Sequence, residues 1–378
     1  MRRAVILMAF MAGALGLGVA ATRHAEAATT CTFTTAGSTM RLNADCTTDA
    51  TIVIPNGMTL DGRGKTITAV DPAGGHFLGA IVKNGGASAN VKNLKLNTAG
   101  LSDVCDGGDD RLRGILFQGA SGTISDNTVQ NIKQGPSSGC QEGNGIEARN
   151  EPFDGTGTNP ARVTITGNSV TQYQKTGIVA NGNVVATVRG NAVSGIGPVG
   201  SIAQNGIQFG YGATGVIKDN RVFANAYTGP NWASTGILIF QSSGILVQGN
   251  EVKDSQVGIA IETWGCFAGG PAAANNNHIV YNRISGAQWG VSIAAYSYAP
   301  YSECDAEANG NKITNNSIRG VPGVGEQGIF IGGSVIAGTF TPEVDRNRAT
   351  SNYIVGFDTP VEVDGATNTV LNANGNDA

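Results

Sequence analysis

Seven times along this chain a short apolar run closes on one signature: a branched residue, one or two spacers, Asn, one spacer, then Val or Ile. The copies read ISDNTV (Asn127), ITGNSV (Asn168), VRGNAV (Asn191), IKDNRV (Asn220), VQGNEV (Asn250), IVYNRI (Asn282) and ITNNSI (Asn316). Between them runs a second motif, Gly followed by Ile or Val, starting at Gly114, Gly145, Gly177, Gly206, Gly236, Gly258, Gly290 and Gly328. Two motifs interleaved at one period mark a stack of coils, each touching only its neighbours. The tightest step, Gly236 to Gly258, spans 22 residues, room for three short strands and three bends. Apolar and polar residues alternate within each coil, which is the period of a strand. Asn tolerates a left-handed bend, and side chains stacked at one corner can hydrogen-bond as a ladder. The seven Asn therefore read as architecture and carry no chemistry.

This pattern resembles the right-handed parallel β-helix repeat of the pectate lyase-like superfamily, which includes NosD-type repeat proteins and the alginate C5-epimerases. The resemblance covers about residues 50–350, and the stretch IVIPNGMTLDGRGKTI (Ile52 to Ile67) looks like the entry coils of such a helix. It implies an all-β fold, a single-stranded right-handed parallel β-helix. That scaffold carries lyases, hydrolases, epimerases, tailspikes and adhesins, so it does not fix an activity.

The first residues stand apart from the repeat. Arg2 and Arg3 precede an apolar run from Val5 to Ala20, and Ala25-Glu26-Ala27 forms an A-x-A cleavage signal. Residues 1–27 therefore read as a signal peptide cut after about Ala27, and residues 28–378 as a single secreted domain with no membrane insertion. Cleavage would leave 21 basic against 27 acidic residues, a net charge of −6. No Lys/Arg-rich tract offsets that balance, so the bulk charge suits nucleic acid poorly and no nucleic-acid partner is expected. Six cysteines fit an oxidising compartment. Their spacing places equivalent loop positions of neighbouring coils side by side, predicting the pairs Cys31–Cys46, Cys105–Cys140 and Cys266–Cys304.

In a strand Gly-Ile-x-Ile-x the Ile side chains point inward and the others outward. By resemblance to active members of the superfamily, this strand lies on the sheet that holds a polysaccharide groove. Most outward positions are uncharged, but Glu147, Arg149 and Glu262 stand out, with Gln208 between them. Three coils carry insertions directly after this strand, roughly 150–160, 264–277 and 295–311. They would build one wall, where binding residues concentrate on a rigid repeat. Tyr211, Phe240, Trp264, Tyr296 and Tyr298 fall just after the same strands, and Tyr301 lies within the last insertion. One ring per rung would make a platform for flat sugar faces.

Glycoside hydrolysis needs two carboxyl groups about 5 to 9.5 Å apart. Glu147 and Glu262 are four coils apart, on the order of 19 Å, so each needs its own partner. For Glu147 the loop DVCDGGDDRLR (Asp103 to Arg113) and the segment QEGNG offer Asp106, Asp109, Asp110 and Glu142, with Arg111, Arg113 and Arg149 close by. Crowded carboxylates would split their pKa values into an acid and a base. The acids Asp106, Asp109 and Asp110 could instead hold Ca²⁺, or form a solvated loop. For Glu262 the neighbours are Trp264 and, through a Cys266–Cys304 bridge, Glu303 and Asp305. A lyase would need a base such as Arg149, Tyr296 or Tyr298. The DPH motif of the alginate epimerases is absent, and so are nucleotide-cofactor motifs. The expectation is a polysaccharide-active enzyme, a glycoside hydrolase or a lyase. The competing class is a non-catalytic surface protein, either a glycan-binding adhesin or a repeat whose exposed face docks a partner.

Overall fold

The structure, a computed structural model, describes residues 29–135, 138–230, 232–298, 304–337, 340–364, 368–371 and 374–375. The predicted signal peptide lies outside them. The coil winds through three parallel sheets of 13, 11 and 12 strands. One complete turn shows the order. Thr176–Gly182 lies in the 11-stranded sheet, Val184–Arg189 in the 13-stranded sheet and Ala192–Val199 in the 12-stranded sheet. The chain then re-enters the first sheet at Asn205–Gly210. Equivalent residues stack in register, as Ile146↔Ile178↔Ile207↔Ile237↔Ile259 illustrates. Those five side chains are fully buried, so the inward Ile of each Gly-Ile motif forms a continuous apolar column.

Glycine opens that strand because of a close approach. A methyl group on Gly236 would lie 2.4 Å from Val252 Cγ1 and 2.7 Å from the carbonyl of Gly258. The corresponding Gly258 and Gly290 are equally tight.

The Asn ladder forms along the corner between the 13- and 12-stranded sheets. Asn191 Nδ2 donates to Asn220 Oδ1 at 2.9 Å, Asn220 to Asn250 at 3.0 Å and Asn250 to Asn282 at 2.9 Å. Asn352 accepts from Asn316 and extends the ladder by an eighth member, which its ATSNYI context hides. A second Asn column (Asn277, Asn311, Asn347) runs along another corner. One sequence expectation needs correcting. The left-handed residue is not the ladder Asn but the one before it: Asp126, Gly167, Gly190, Asp219, Gly249, Tyr281 and Asn315 all have positive φ. The bend is made one residue early, which turns each Asn inward, where its amide satisfies buried backbone groups.

Asn220 shows what this is worth. It donates to Val188 O and accepts from the backbone and side chain of Asn191. Asn220→Ala would leave these buried groups unpaired. We expect a loss of about 2–4 kcal/mol, measured by denaturant unfolding.

The N-terminal edge is closed by a hairpin. Phe33–Ala36 pairs antiparallel with Thr39–Leu42, which then begins the parallel stack against Met58–Asp61. This covers the first open strand, the usual hazard of a sheet edge. Cys31–Cys46 pins the cap, and Cys105–Cys140 and Cys266–Cys304 join loops of successive coils, with Cα–Cα separations of 5.0, 5.1 and 5.8 Å.

Candidate functional site

The outer face of the 11-stranded sheet carries two central ladders. One reads Leu116↔Glu147↔Val179↔Gln208↔Leu238↔Ala260↔Ser292. The other reads Gln118↔Arg149↔Asn181↔Gly210↔Phe240↔Glu262↔Ala294. The predicted outward positions therefore share one face. The insertions also meet: a methyl on Gly155 would strike Pro271, and one on Gly270 would strike the ring of Tyr211. Ala273, Glu307 and Glu343 continue the wall by parallel bridges. Glu343 comes from a fourth insertion, after the strand Gln327–Ala337, that becomes visible only once Asn352 is counted.

The two predicted acidic centres differ sharply. Glu147 is 4% exposed, beneath the loop that follows Asp103. Its Oε2 accepts from Arg113 Nε at 2.6 Å and from Asn144 Nδ2 at 2.9 Å. The Arg113 guanidinium also donates to the carbonyls of Gly108, Asp109 and Arg111. Glu142 accepts from the backbone N–H groups of Asp106 and Leu112. These contacts clamp the loop to the sheet and leave Glu147 no open face toward a ligand.

The expected acid cluster does not gather. Asp106 pairs with His76 at 3.0 Å, and Asp109 faces Arg149 at 3.6 Å and Lys83 at 4.0 Å. Among the described residues, no group of three or more His, Cys, Asp or Glu could hold a metal. Of the three acids considered for Ca²⁺, Asp106 and Asp109 face separate cations, so Asp106, Asp109 and Asp110 do not converge on one point. Arg149 lies over the Phe153 ring at 5.1 Å and four rungs from Glu262.

Glu262 sits in a different setting. It is half-buried and outward-facing, flanked in register by Phe240 and the small Ala294. Burial pushes its carboxyl up to about 7, against a smaller opposing effect from the hydrogen bond donated by Trp264. Tyr296 lies two residues beyond Ala294 on the next rung. Burial first, then the charge of Glu262, raises its phenol, which holds its proton at neutral pH. Tyr211 is also raised by burial, opposed by the nearby Arg111. Gln208 accepts from Asn205 at 3.2 Å and donates toward Asn181 at 3.4 Å, on the ladder beside the rings.

The aromatic residues come together, though not as a flat platform. Tyr211 meets Phe240 at 5.5 Å, Phe240 meets Trp264 at 6.4 Å and Trp264 meets Tyr296 at 5.9 Å, all edge to face. The ring quadrupoles favour these angles over stacking. Phe267 joins the cluster from the insertion after Trp264.

The sequence reading missed Trp232, which stacks on Trp264 with centroids 5.6 Å apart and planes 13° apart. It is 56% exposed. It comes from the loop before the strand Thr235–Phe240, whereas Trp264 follows the neighbouring strand, so this loop crosses the sheet's outer face. Tyr298 ends the strand Trp289–Tyr298. Its side chain, together with Tyr301 and Glu303, lies outside the described residues.

A parallel coil of three sheets with one insertion-bearing face defines a class of protein. The chain belongs to the right-handed β-helix family, whose model, a right handed beta helix region, matches residues 79–374. A search of curated proteins gives no match. Among solved structures, a double mutant of the periplasmic alginate epimerase AlgG aligns with a TM-score of 0.53 and 12% identity, over 86% of this chain and 78% of that one. AlgG itself gives 0.50 and 11% over the same shares. The A-module of the Azotobacter vinelandii mannuronan C-5 epimerase AlgE4 gives 0.45 and 15%, over 88% and 89%. At identities this low the AlgG alignments show a shared fold and nothing finer. No helix among the described residues is long and apolar enough to cross a membrane.

Proposed function

We propose that this chain is an exported polysaccharide-active enzyme that holds a glycan against the 11-stranded sheet and acts on it at Glu262 and Tyr296. The observation that carries this is a half-buried carboxyl, Glu262, facing outward next to the rung of Tyr296 inside the aromatic cluster, where burial raises the pKa of both groups. A hydrolase would need a second carboxyl within about 9.5 Å to activate or replace water. Glu147 is four rungs away and buried, and Asp305, carried next to the Cys266–Cys304 bridge, is exposed. The Tyr296 phenol facing Glu262 is what favours proton transfer at a sugar carbon. In β-elimination from a uronate, Glu262 takes the proton on the carbon next to the carboxylate. The electron pair forms the new double bond, the glycosidic C–O bond breaks, and the Tyr296 O–H protonates the departing oxygen. AlgG, an alginate epimerase by name, shares the fold, and the three disulfides suit an oxidising compartment. Both support the reading.

The test is incubation of the mature protein with acidic and neutral polysaccharides, following reducing ends and the ultraviolet absorbance of unsaturated products. Absorbance that disappears in Glu262→Gln supports elimination. New reducing ends without that absorbance would make the enzyme a hydrolase, and binding without turnover on every substrate would make it an adhesin. Trp232 offers a separate prediction. Its exposed ring is placed to stack on a sugar, so Trp232→Ala should weaken glycan binding by about 1 kcal/mol, roughly fivefold, with kcat little changed. Titration calorimetry with a tight oligosaccharide checks this.

A further inference from the structure

The overall charge of the chain conceals how its charges are sorted. The strands of the 13-stranded sheet contain seven Lys or Arg and one acid, Asp61. Those of the 12-stranded sheet contain five and one, the acid being Glu251. The strands of the 11-stranded sheet contain three of each. The two sheets facing away from the candidate site are therefore basic, although the whole protein has a net charge of −4.

The cations also line up. Arg189 stands in register beside Lys218, and His278, Lys312 and Arg348 follow one another on three consecutive rungs. Like charges in register on neighbouring strands repel. The repulsion is felt at His278, whose pKa is lowered first by burial and then by Lys312. Arg283 extends the patch around the corner, three residues past the strand His278–Val280. Among the described residues, Arg283, Lys312 and Arg348 make no ion pair with a carboxylate, whereas Arg221 and Glu251 do, at 3.1 Å. Within the column of His278, Lys312 and Arg348 no acid stands in register, whereas Arg283 has Glu251 beside it on the neighbouring strand. Two exposed rings lie among these cations: Tyr281 is 62% exposed, and Tyr353 is 46% exposed with Arg319 at 5.1 Å from its centroid.

We propose that this back surface binds an acidic polysaccharide laid along the helix axis, independently of the groove. Cations recur at the rung spacing of about 4.8 Å, comparable to the length of one sugar ring, and a uronate polymer carries one carboxylate per ring. The exposed tyrosines supply flat faces for the sugar rings themselves. Because the surface lies on the other two sheets, the protein can stay anchored to an anionic matrix while the groove engages a chain.

The test uses immobilised polygalacturonate and the full mature protein. The parent should be retained at low ionic strength and released by about 0.5 M NaCl, which shrinks the screening length to a few Å. An Arg283→Ser/Lys312→Ser/Arg348→Ser variant, with its fold checked by circular dichroism, should bind about tenfold more weakly, since three exposed pairs each contribute modestly. Failure of the parent to bind, or equal binding by the triple variant, overturns the proposal. So does tighter binding to DNA or to phosphatidylserine vesicles than to the polyuronate. A loss in Trp232→Ala with none in the triple variant would assign the binding to the groove and overturn it equally, leaving the Glu262 reading intact.

Discussion

Glu262→Gln should bind glycan as the parent does and turn it over at least a hundredfold more slowly. General acid–base groups typically contribute about 10² to 10⁴ in rate, and the amide keeps the shape of the side chain while losing its ability to take a proton. The pH profile gives a second readout. The carboxyl is held up to about 7 by burial, and it must be ionised to act as a base. kcat/KM should therefore rise with pH around 7, and that limb should vanish in the variant. Stability should move in the opposite sense. A carboxyl whose folded pKa lies above its usual 4.5 binds its proton more tightly when folded. That stabilisation is complete below about 4.5 and is lost as pH rises to about 7. The Gln variant should therefore lose this pH dependence between pH 4.5 and 7, as thermal unfolding across that range will show. Unchanged turnover with a flattened stability profile would confine Glu262 to a structural role.

How much of this was legible in the sequence depends on what kind of contact was being read. The coil, the inward Ile columns, the Asn ladder and the three disulfides all follow from period alone, because stacking repeats one local geometry at every rung. Asn352 escaped because Ala349 replaces the branched residue of its signature, and the fourth insertion escaped with it. Trp232 escaped for a topological reason. The other clustered rings follow Gly-Ile or Gly-Val motifs, whereas Trp232 arrives from before one, across the face.

Glu147 and Glu262 looked alike as outward acids. What separates them is the preceding rung: Arg113 stands directly before Gly114, in register with Asn144, and so reaches the carboxylate of Glu147. The coil before Glu262 carries the uncharged Thr235 at that offset, directly before Gly236, and Phe240 directly beside the carboxylate. A cation at that offset was a readable signal, and it marks a clamp rather than a catalyst.

That clamp carries the largest stability prediction. Arg113 and Glu147 are 2% and 6% exposed at the side chain and 2.6 Å apart. Glu147→Leu would leave the guanidinium buried without its counterion, which typically costs about 3–5 kcal/mol. The loop through the 3-10 turn Gly108–Asp110 is tied to the sheet by the same guanidinium, so this region should open first, with faster hydrogen exchange at its amides. Replacing both partners tests the argument. Arg113→Met/Glu147→Leu removes both desolvated charges at once, and such pairs often exchange for apolar groups at little net cost. The double variant should thus recover much of what the single variant loses, less whatever the loop carbonyls forfeit when Arg113 no longer donates to them. Denaturant unfolding of the four proteins gives the coupling energy directly. Turnover per folded molecule should be nearly unchanged in Glu147→Gln, which keeps an acceptor for Arg113. A collapse of activity in that variant, with stability preserved, would return Glu147 to the chemistry and move the active centre four rungs along the helix.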